Sequence, residues 1–249
     1  MENCPHCNSD QTIKKGLRKN KLQKLQRHYC KNCKKFFIQN QTKNKTYPLK
    51  LILRAISFYN LGYSLEKTQK AIKNIYKITP TLKTIHNWLN ELKDISTYSK
   101  IRNNNLKYHK PKDIIVKKTF RHNEQPYRYQ YHNSKINFLK QVHSLKQYLI
   151  GIRDNCLNNL FQNSNKNKAS QLKINLNFDI ERKQNQANRL ASLVLSATNN
   201  NQQRHQIIQD FMLINDTATI ATEVPIFYLK TGLTGHIDIL QFKFNKIHI

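Results

Sequence analysis

Acidic residues are scarce in this sequence, which has 14 Asp and Glu against 43 Lys and Arg in 249 residues and a formal net charge of +29. A surplus of this size makes a polyanion the first candidate partner, with nucleic acid as the leading hypothesis. Apolar residues are also below their usual share, at 38%, and runs rich in Lys and Asn replace them. Part of the charge can therefore be ordinary solvated surface.

Long hydrophobic runs are absent from the sequence. No segment approaches the roughly 18 apolar residues of a membrane span, and the N-terminal region has no apolar stretch typical of a signal peptide. We therefore expect a cytoplasmic protein without a membrane partner. The five cysteines are too few for a disulfide scaffold, and an intracellular chain keeps them reduced.

Four of these cysteines form two Cys-x-x-Cys pairs with 22 residues between them: Cys4, Cys7, Cys30 and Cys33. Each such turn presents two thiolates, and two turns complete the tetrahedron that zinc prefers. The sequence therefore predicts one closed structural zinc site. Four unrelated thiols and a redox-active pair are the alternatives.

The residues between and after the cysteine pairs predict a small zinc-ribbon β domain over 1–42. Residues 12–19 and 25–29 read as a hairpin, and 34–39 as a third strand. This segment has too few apolar residues to fold alone, so we expect the metal to supply its folding energy. Seven basic residues line the hairpin and either contact phosphates or are merely solvated: Lys14, Lys15, Arg18, Lys19, Lys21, Lys24 and Arg27.

Residues 47–96 predict three short helices arranged as a helix-turn-helix. Gly62 can end the first helix in the left-handed conformation, and Ser64 and Thr81 can cap the second and third. In this motif the last helix enters the major groove of DNA, and a plain helical bundle is the alternative. The outward residues of the third helix are the candidate DNA contacts: Lys83, Thr84, His86, Asn87 and Asn90.

Residues 1–95 resemble the N-terminal DNA-binding half of prokaryotic, especially archaeal, insertion-sequence transposases. The resemblance depends on Cys-Pro-x-Cys, the stretch 26–37 around the second cysteine pair, Gly62-Tyr63-Ser64 and the stretch 84–89. It implies a zinc ribbon and a helix-turn-helix that recognise DNA, without implying catalysis.

The remainder of the chain predicts a basic linker over 97–118 and an α/β domain over 119–249. Its periodicity predicts an amphipathic helix over 136–161, a strand over 172–178, helices over 182–198 and 201–213, and β-rich segments from 219 onward. Interleaved aromatic and basic residues can stack on unpaired bases or pack in the core: Tyr127, Tyr129, Tyr131 and Tyr148 with Arg121, Arg128 and Lys135.

Two carboxylates in the β-rich part are candidate catalytic residues. Glu223 and Asp238 lie on consecutive predicted strands, and Gly235 leaves room near them. Such a pair can hold Mg²⁺ or Mn²⁺, which polarises a phosphodiester and activates water. Asp238 is therefore also a candidate metal ligand. Two ordinary strand-end carboxylates are the alternative.

The spacing from Glu223 to Asp238, the Gly-x-x-Asp strand and the preceding helices resemble the PD-(D/E)XK nuclease superfamily in its RecB-like branch, from about residue 172 to the end. Under this resemblance Glu181 is a candidate for the variable helix acid, and an ordinary acid at a helix N-terminus is the alternative. In that family the next strand carries an acid, one residue and a lysine, which this sequence does not reach before Ile249. We therefore expect a truncated and inactive chain.

The predicted fold class is multidomain: a zinc ribbon, a three-helix helix-turn-helix and an incomplete α/β domain of PD-(D/E)XK type. The predicted function is DNA binding, with metal-dependent endonuclease activity in the full-length protein. The alternative is a non-catalytic regulatory or transposon-related DNA-binding protein. An active transposase is disfavoured because the C-terminal part shows no acidic triad.

Overall fold

The computed structural model describes residues 3–19, 22, 24–38, 46–106, 109–122, 125–139, 141–155, 186–195, 201–228, 230 and 233–249. These residues form a mixed α/β protein with two antiparallel sheets. The predicted strand over 172–178, Glu181, Lys21 and the end of the predicted helix over 136–161 lie outside the described residues. In the described residues, no helix combines the length and apolar character that a membrane crossing requires.

The N-terminal sheet contains three strands in the order β1-β2-β3: β1 Thr12–Lys19, β2 Lys24–Cys30 and β3 Phe36–Ile38. The predicted hairpin and third strand are thus confirmed. The ladder is irregular between Lys14 and Leu17, where Gly16 has φ of +75°. In the described part of this segment, Cys4, Cys30 and Phe37 form a small buried cluster with Cys33 packed against it, so these residues have little apolar core of their own.

Three helices follow the sheet: α1 Leu49–Asn60, α2 Leu65–Tyr76 and α3 Leu82–Glu91. Both predicted caps are confirmed, since Ser64 Oγ accepts from the Lys67 amide at 3.2 Å and Thr81 Oγ1 from the Thr84 amide at 3.1 Å. Gly62 follows α1 with φ of +101°, a conformation that suits glycine. The helical part of the prediction is therefore correct in position and in its local causes.

The segment 97–118 differs from the predicted linker. It contains a 3-10 helix Thr97–Lys100, α4 Arg102–Leu106 and a second 3-10 helix Pro111–Asp113. Tyr98 and Ile114 are buried, and the Arg102 guanidinium donates to the Tyr59 and Tyr63 carbonyls at 2.6 and 3.0 Å. The elements are too short to show periodicity in the sequence, which explains the misreading.

The second sheet has five antiparallel strands in the order β4-β5-β6-β7-β8. The strands are β4 Ile115–His122, β5 Gln125–His132, β6 Thr219–Tyr228, β7 Leu233–Lys243 and β8 Lys246–His248. Among the described residues between β5 and β6 there are four helices: α5 Asn133–Ile136, α6 His143–Asn155, α7 Gln186–Leu195 and α8 Asn201–Asn215. The predicted start of a long helix at 136 is wrong, because α5 ends there and α6 begins at His143.

The three N-terminal helices share their core with the C-terminal half. Phe211 and Met212 of α8 and Leu190 of α7 belong to the same buried cluster as the apolar faces of α1, α2 and α3. A second cluster fills the space between the five-stranded sheet and α6. Residue 96 is therefore not a boundary of packing.

A buried polar network reinforces this junction. The Asn60 amide donates to Ser96 Oγ and to Asn215 Oδ1, both at 2.7 Å. The Asn215 amide in turn donates to Ser57 Oγ at 2.9 Å. The network joins α1 directly to the end of α8, and α8 continues into the strand that carries Glu223.

Candidate metal centres and basic surfaces

The four cysteine thiols converge at one end of the N-terminal sheet. The Sγ atoms of Cys4 and Cys33 are 3.6 Å apart, as are those of Cys7 and Cys30, and all four lie within 4.8 Å of one another. A tetrahedral zinc ion with bonds of about 2.3 Å separates its sulfur ligands by about 3.8 Å. The spacing thus fits a zinc ion, and the four cysteines can form a zinc site as predicted.

The thiols of this cluster differ in acidity. Backbone N–H groups of Cys33 and Asn32 directed at Cys30 lower the pKa of its thiol to about 6, although burial acts in the opposite direction. Burial raises the pKa of Cys33 to about 12, and the neighbouring sulfurs add to this increase. A second thiolate next to the first is therefore unfavourable unless a cation lies between them, which a bound zinc ion would supply.

A second cluster of possible ligands lies in the C-terminal half, and it brings Glu223 and Asp238 together with His205. His205 Nδ1 is 3.6 Å from Glu223 Oε1, and its Nε2 is 3.2 Å from Asp238 Oδ2. The ligand atoms all lie within 4.8 Å of one another. His205 belongs to α8, Glu223 to β6 and Asp238 to β7, so three separate elements position the three side chains.

The β6–β7 ladder explains why the two carboxylates meet. Thr222 pairs with Ile239 and Val224 with Ile237, so Glu223 and Asp238 occupy facing positions between these pairs. Glu223 has φ of +51°, a left-handed conformation that is uncommon for a non-glycine residue and marks local backbone strain. Such strain often occurs at functional sites.

Gln209, one turn after His205 on α8, holds the cluster in place. Its side-chain amide donates to Glu223 Oε1 at 2.5 Å and to the Asp238 carbonyl at 3.3 Å. The Glu223 side chain is 12% exposed, whereas those of Asp238 and His205 are 66% and 50% exposed. Glu223 is thus held by Gln209 in a buried position, whereas Asp238 and His205 face solvent. A metal ion bound here would have room to coordinate water or substrate.

Two aromatic rings lie close to this cluster. Tyr127 on β5 stacks on His236 with ring centroids 3.8 Å apart and an interplanar angle of 5°. Burial raises the pKa of Tyr127, and the negative charges of Glu223 and Asp238 raise it further. The stacked pair is therefore near enough to the two carboxylates for their charges to act on the Tyr127 hydroxyl.

The chemistry of the cluster fits a divalent ion. An imidazole nitrogen with two carboxylate oxygens is a ligand set that Mn²⁺, Fe²⁺ and Zn²⁺ accept, and Mg²⁺ accepts the oxygens. Without an ion, the same side chains can form a simple histidine–carboxylate contact. His205 was missed in the sequence because it stands 18 positions before Glu223 with no recognisable spacing. Only the packing of α8 on the sheet reveals it.

The predicted DNA contacts on α3 differ in accessibility. Lys83, His86, Asn87 and Asn90 are exposed, and the Asn90 amide lies 3.3 Å from His86 Nδ1. Thr84 is half-buried, and its hydroxyl lies 2.8 Å from that of Thr81 in the cap. Four of the five residues therefore share an exposed face, while Thr84 serves the cap.

The N-terminal sheet presents a second exposed basic surface. Arg27 places its guanidinium 4.3 Å from the ring centroid of Phe36, which is 51% exposed and contacts Tyr29. The described basic residues of the hairpin are all exposed: Lys14, Lys15, Arg18, Lys19, Lys24 and Arg27. Cations beside exposed aromatic rings suit contacts with nucleic acid.

The aromatic and basic residues between Arg121 and Tyr148 had two predicted roles, stacking on unpaired bases or packing in the core, and several of them pack in the core. Tyr129 and Tyr131 are buried, and the Tyr129 hydroxyl donates to the Leu149 carbonyl at 2.7 Å. The Tyr148 hydroxyl donates to the Pro225 carbonyl at 2.6 Å. Lys135 is also buried. These residues follow the alternative reading, in which they pack in the core.

The Lys135 ammonium group connects the end of α8 to the start of β6. It donates to the carbonyls of Leu213 at 2.5 Å, of Thr219 at 3.0 Å and of Asp216. These carbonyls lie where the helix that carries His205 turns into the strand that carries Glu223. Lys135 therefore supports the second cluster indirectly, by fixing this turn.

Comparison with protein-family models, curated proteins and solved structures gave no match for this chain. The resemblances to transposases and to PD-(D/E)XK nucleases therefore stay predictions from the sequence.

Proposed function

We propose that the protein binds DNA and holds a divalent metal ion, Mg²⁺ or Mn²⁺, at His205, Glu223 and Asp238. The observation that carries the proposal is the convergence of three metal-ligand side chains in a chain with a net charge of +29. Exposed carboxylates in such a chain are few, and an ion beside them can contact a phosphodiester that the basic surface attracts.

In this proposal the cysteine-bearing sheet is a zinc ribbon and α1–α3 form a helix-turn-helix. The exposed face of α3 supports a role in the major groove, since Asn87 can pair with a base edge and Lys83 with a phosphate. The exposed basic face of β1 and β2 supports additional phosphate contacts. Affinity for duplex DNA should then fall steeply with salt, by about 0.9 in log affinity per log salt for each neutralised phosphate.

The metal site is tested by titrating Mn²⁺ into the purified protein and measuring binding by calorimetry. We expect one Mn²⁺ ion at this site in addition to the zinc. His205→Ala and Asp238→Asn should each weaken Mn²⁺ binding at least tenfold, because even outer groups around a metal contribute about 10- to 100-fold.

Two exposed residues of α6 provide matched controls. His143 and Asp154 are of the same types but lie outside the cluster, so His143→Ala and Asp154→Asn should leave Mn²⁺ affinity unchanged. Equal Mn²⁺ binding by Asp238→Asn and the unsubstituted protein would contradict the proposed site.

Metal-dependent DNA cleavage is a second candidate function, and the open ligand arrangement favours it. The bound ion would polarise a phosphodiester oxygen and lower the pKa of a coordinated water. Among the described residues, no lysine or arginine forms an ion pair with Glu223 or Asp238 within 4.0 Å, so stabilisation of the leaving group is weak. We therefore expect residues 1–249 to bind DNA with little or no cleavage.

A plasmid-nicking assay with Mg²⁺ and Mn²⁺ separates the two functions. Cleavage that disappears in Asp238→Asn would establish the nuclease function at this cluster. Cleavage that persists in Asp238→Asn would place the chemistry elsewhere in the protein. Tight DNA binding without cleavage would favour the non-catalytic alternative, a regulatory or transposon-related DNA-binding protein.

A further inference from the structure

Two cavities adjoin between α1 and α8, away from the His205 cluster. Their volumes are about 270 and 170 Å³, and Arg54, Ser57 and Asp210 line both of them. The larger cavity continues toward α2, and the smaller toward β4 and the second 3-10 helix. Together they form one groove, which we call the α1–α8 groove.

Cations dominate this groove. Lys50 and Arg54 come from α1, Lys112 from the 3-10 helix and Lys117 from β4, against one acid, Asp210 of α8. In the part of the chain that the structure describes, none of these four cations forms an ion pair within 4.0 Å.

Asp210 does not neutralise the groove, because its carboxylate is already engaged. Arg128 donates to both of its oxygens, at 3.0 and 3.1 Å, and the Gln130 amide donates to Oδ1 at 3.2 Å. The guanidinium of Arg128 offsets its charge. Four positive charges therefore remain uncompensated around the two cavities.

The pKa of Lys117 reflects its surroundings in the groove. Partial burial lowers it, Asp210 acts in the opposite direction, and the charges of Arg128 and Arg54 lower it further. Cations held close together without a matching acid gain stability from an anionic ligand.

The larger cavity adds an apolar wall to the cations. Leu53, Ile75, Tyr76, Ile207 and Phe211 line it, and Ile75 is 53% exposed. The volume of about 270 Å³ lies just below the range for ligand pockets, which is roughly 300–1,000 Å³. The cavity suits one unpaired base with its sugar, whereas a paired base would keep its face inside the duplex.

We propose that the α1–α8 groove binds one nucleotide unit of a single nucleic-acid strand, with its phosphate at Arg54 and Lys117 and its base against Tyr76 and Ile75. The site goes beyond the proposed duplex binding, because it is separate from the face of α3. It also shares α8 with the metal cluster. Asp210 lies five residues after His205, which is roughly 7.5 Å along the helix axis and about 140° around it, so the groove and the metal cluster occupy different faces of α8.

The test uses the full chain and a fluorescein-labelled oligothymidylate of about eight nucleotides, with binding followed by anisotropy over a range of salt concentrations. Arg54→Gln and Lys117→Gln should each weaken binding about three- to tenfold, the effect of losing one charge-assisted contact. Each should reduce the salt slope by about 0.7, the contribution of one phosphate contact on a single strand.

Lys146→Gln is the matched control, since Lys146 lies on α6 outside both cavities, and it should bind like the unsubstituted protein. Lys112→Gln provides a second, exposed groove position in case one of the other variants unfolds. Unchanged affinity and salt slope in the groove variants would overturn the proposal, as would an equal loss in Lys146→Gln.

Competition with thymidine monophosphate shows whether the groove binds a free nucleotide or a nucleotide within a strand. Displacement of the oligothymidylate by the mononucleotide, abolished in Arg54→Gln, identifies a free nucleotide as a ligand of the groove. If the oligothymidylate stays bound in the presence of the mononucleotide, and this binding depends on Arg54, the ligand is the strand. A methylphosphonate strand without backbone charge should bind the unsubstituted protein weakly and with little salt dependence; binding equal to that of the charged strand would contradict the proposal. Duplex binding is measured separately, so its failure leaves these results interpretable.

Discussion

Replacing Gly62 by alanine tests how α1 is joined to α2 and to the segment after α3. Gly62 has φ of +101°, and an added Cβ would overlap with Leu106 Cδ2 and lie 3.3 Å from Pro111 Cγ. The backbone conformation costs an L-residue roughly 1–2 kcal/mol, and overpacking costs roughly 1–3 kcal/mol. The lower entropy of the unfolded alanine chain offsets roughly 0.4–1 kcal/mol of this sum.

We therefore expect Gly62→Ala to lower the free energy of unfolding by roughly 1–5 kcal/mol. For a chain of this length each kcal/mol shifts the melting temperature by roughly 2–4 °C. Thermal unfolding followed by circular dichroism should then show a decrease of roughly 2–20 °C. The loss should be cooperative, because Leu106 and Pro111 belong to the segment that packs on α1.

Two other glycines serve as controls for this prediction. Gly16 has φ of +75° but no atom within 4 Å of an added Cβ, so Gly16→Ala carries only the backbone penalty. Gly151 lies inside α6 with open space around it, and Gly151→Ala should raise stability by up to about 1 kcal/mol. A melting temperature of Gly62→Ala equal to or above that of the unsubstituted protein would refute the reasoning.

Three further predictions concern the zinc site, the α3 face and the buried lysine. Elemental analysis of purified, reduced protein should find one zinc per chain, and protein without zinc would contradict the site. In Cys30→Ser the zinc should be lost. Hydrogen exchange should then show that β1–β3 lose their protection while α1–α3 stay folded. Asn87→Ala should weaken binding to specific duplex DNA more than binding to random duplex DNA, whereas Lys83→Ala should weaken binding to all sequences alike. Equal losses on both kinds of DNA for Asn87→Ala would show that Asn87 does not contact a base edge. Burial lowers the pKa of Lys135 from 10.5 to about 7, with Asp216 opposing the shift. Between about pH 7 and 10.5 the unfolded chain keeps this proton while the folded chain releases it, so the free energy of unfolding should rise with pH by up to about 1.4 kcal/mol per pH unit. Denaturant titrations at several pH values should show a smaller rise for Lys135→Met. An equal rise in both proteins would contradict the assignment.

The sequence was sufficient where local rules decide the structure. The caps at Ser64 and Thr81 and the end of α1 at Gly62 each depend on residues within one helical turn, so their positions could be read directly. The two cysteine pairs were equally readable, because metal-binding turns have a fixed spacing.

The sequence did not predict which side chains are buried where that burial depends on segments far away in the chain. Tyr98 and Ile114 look like residues of a polar linker, yet both are buried against elements far from them in the chain. Lys135 lies in an aromatic and basic stretch for which base stacking and core packing were both open, and the structure shows its ammonium group among the carbonyls between the end of α8 and the start of β6. For His205 the deciding information was the packing of α8 across the sheet, which no spacing in the sequence records.

The hydrogen bond between Asn60 and Asn215 limits how freely the parts of this protein can be exchanged. The two residues are 155 positions apart, and both are fully buried. A buried amide that loses its partner costs about 1–3 kcal/mol, and the apolar face of α1 would lose Phe211 and Met212 at the same time. Recombination that moved α1–α3 into another protein would therefore have to supply a matching amide and a matching apolar surface. The helices α1–α3 thus share one core with the C-terminal half of the chain and do not form a separately packed unit.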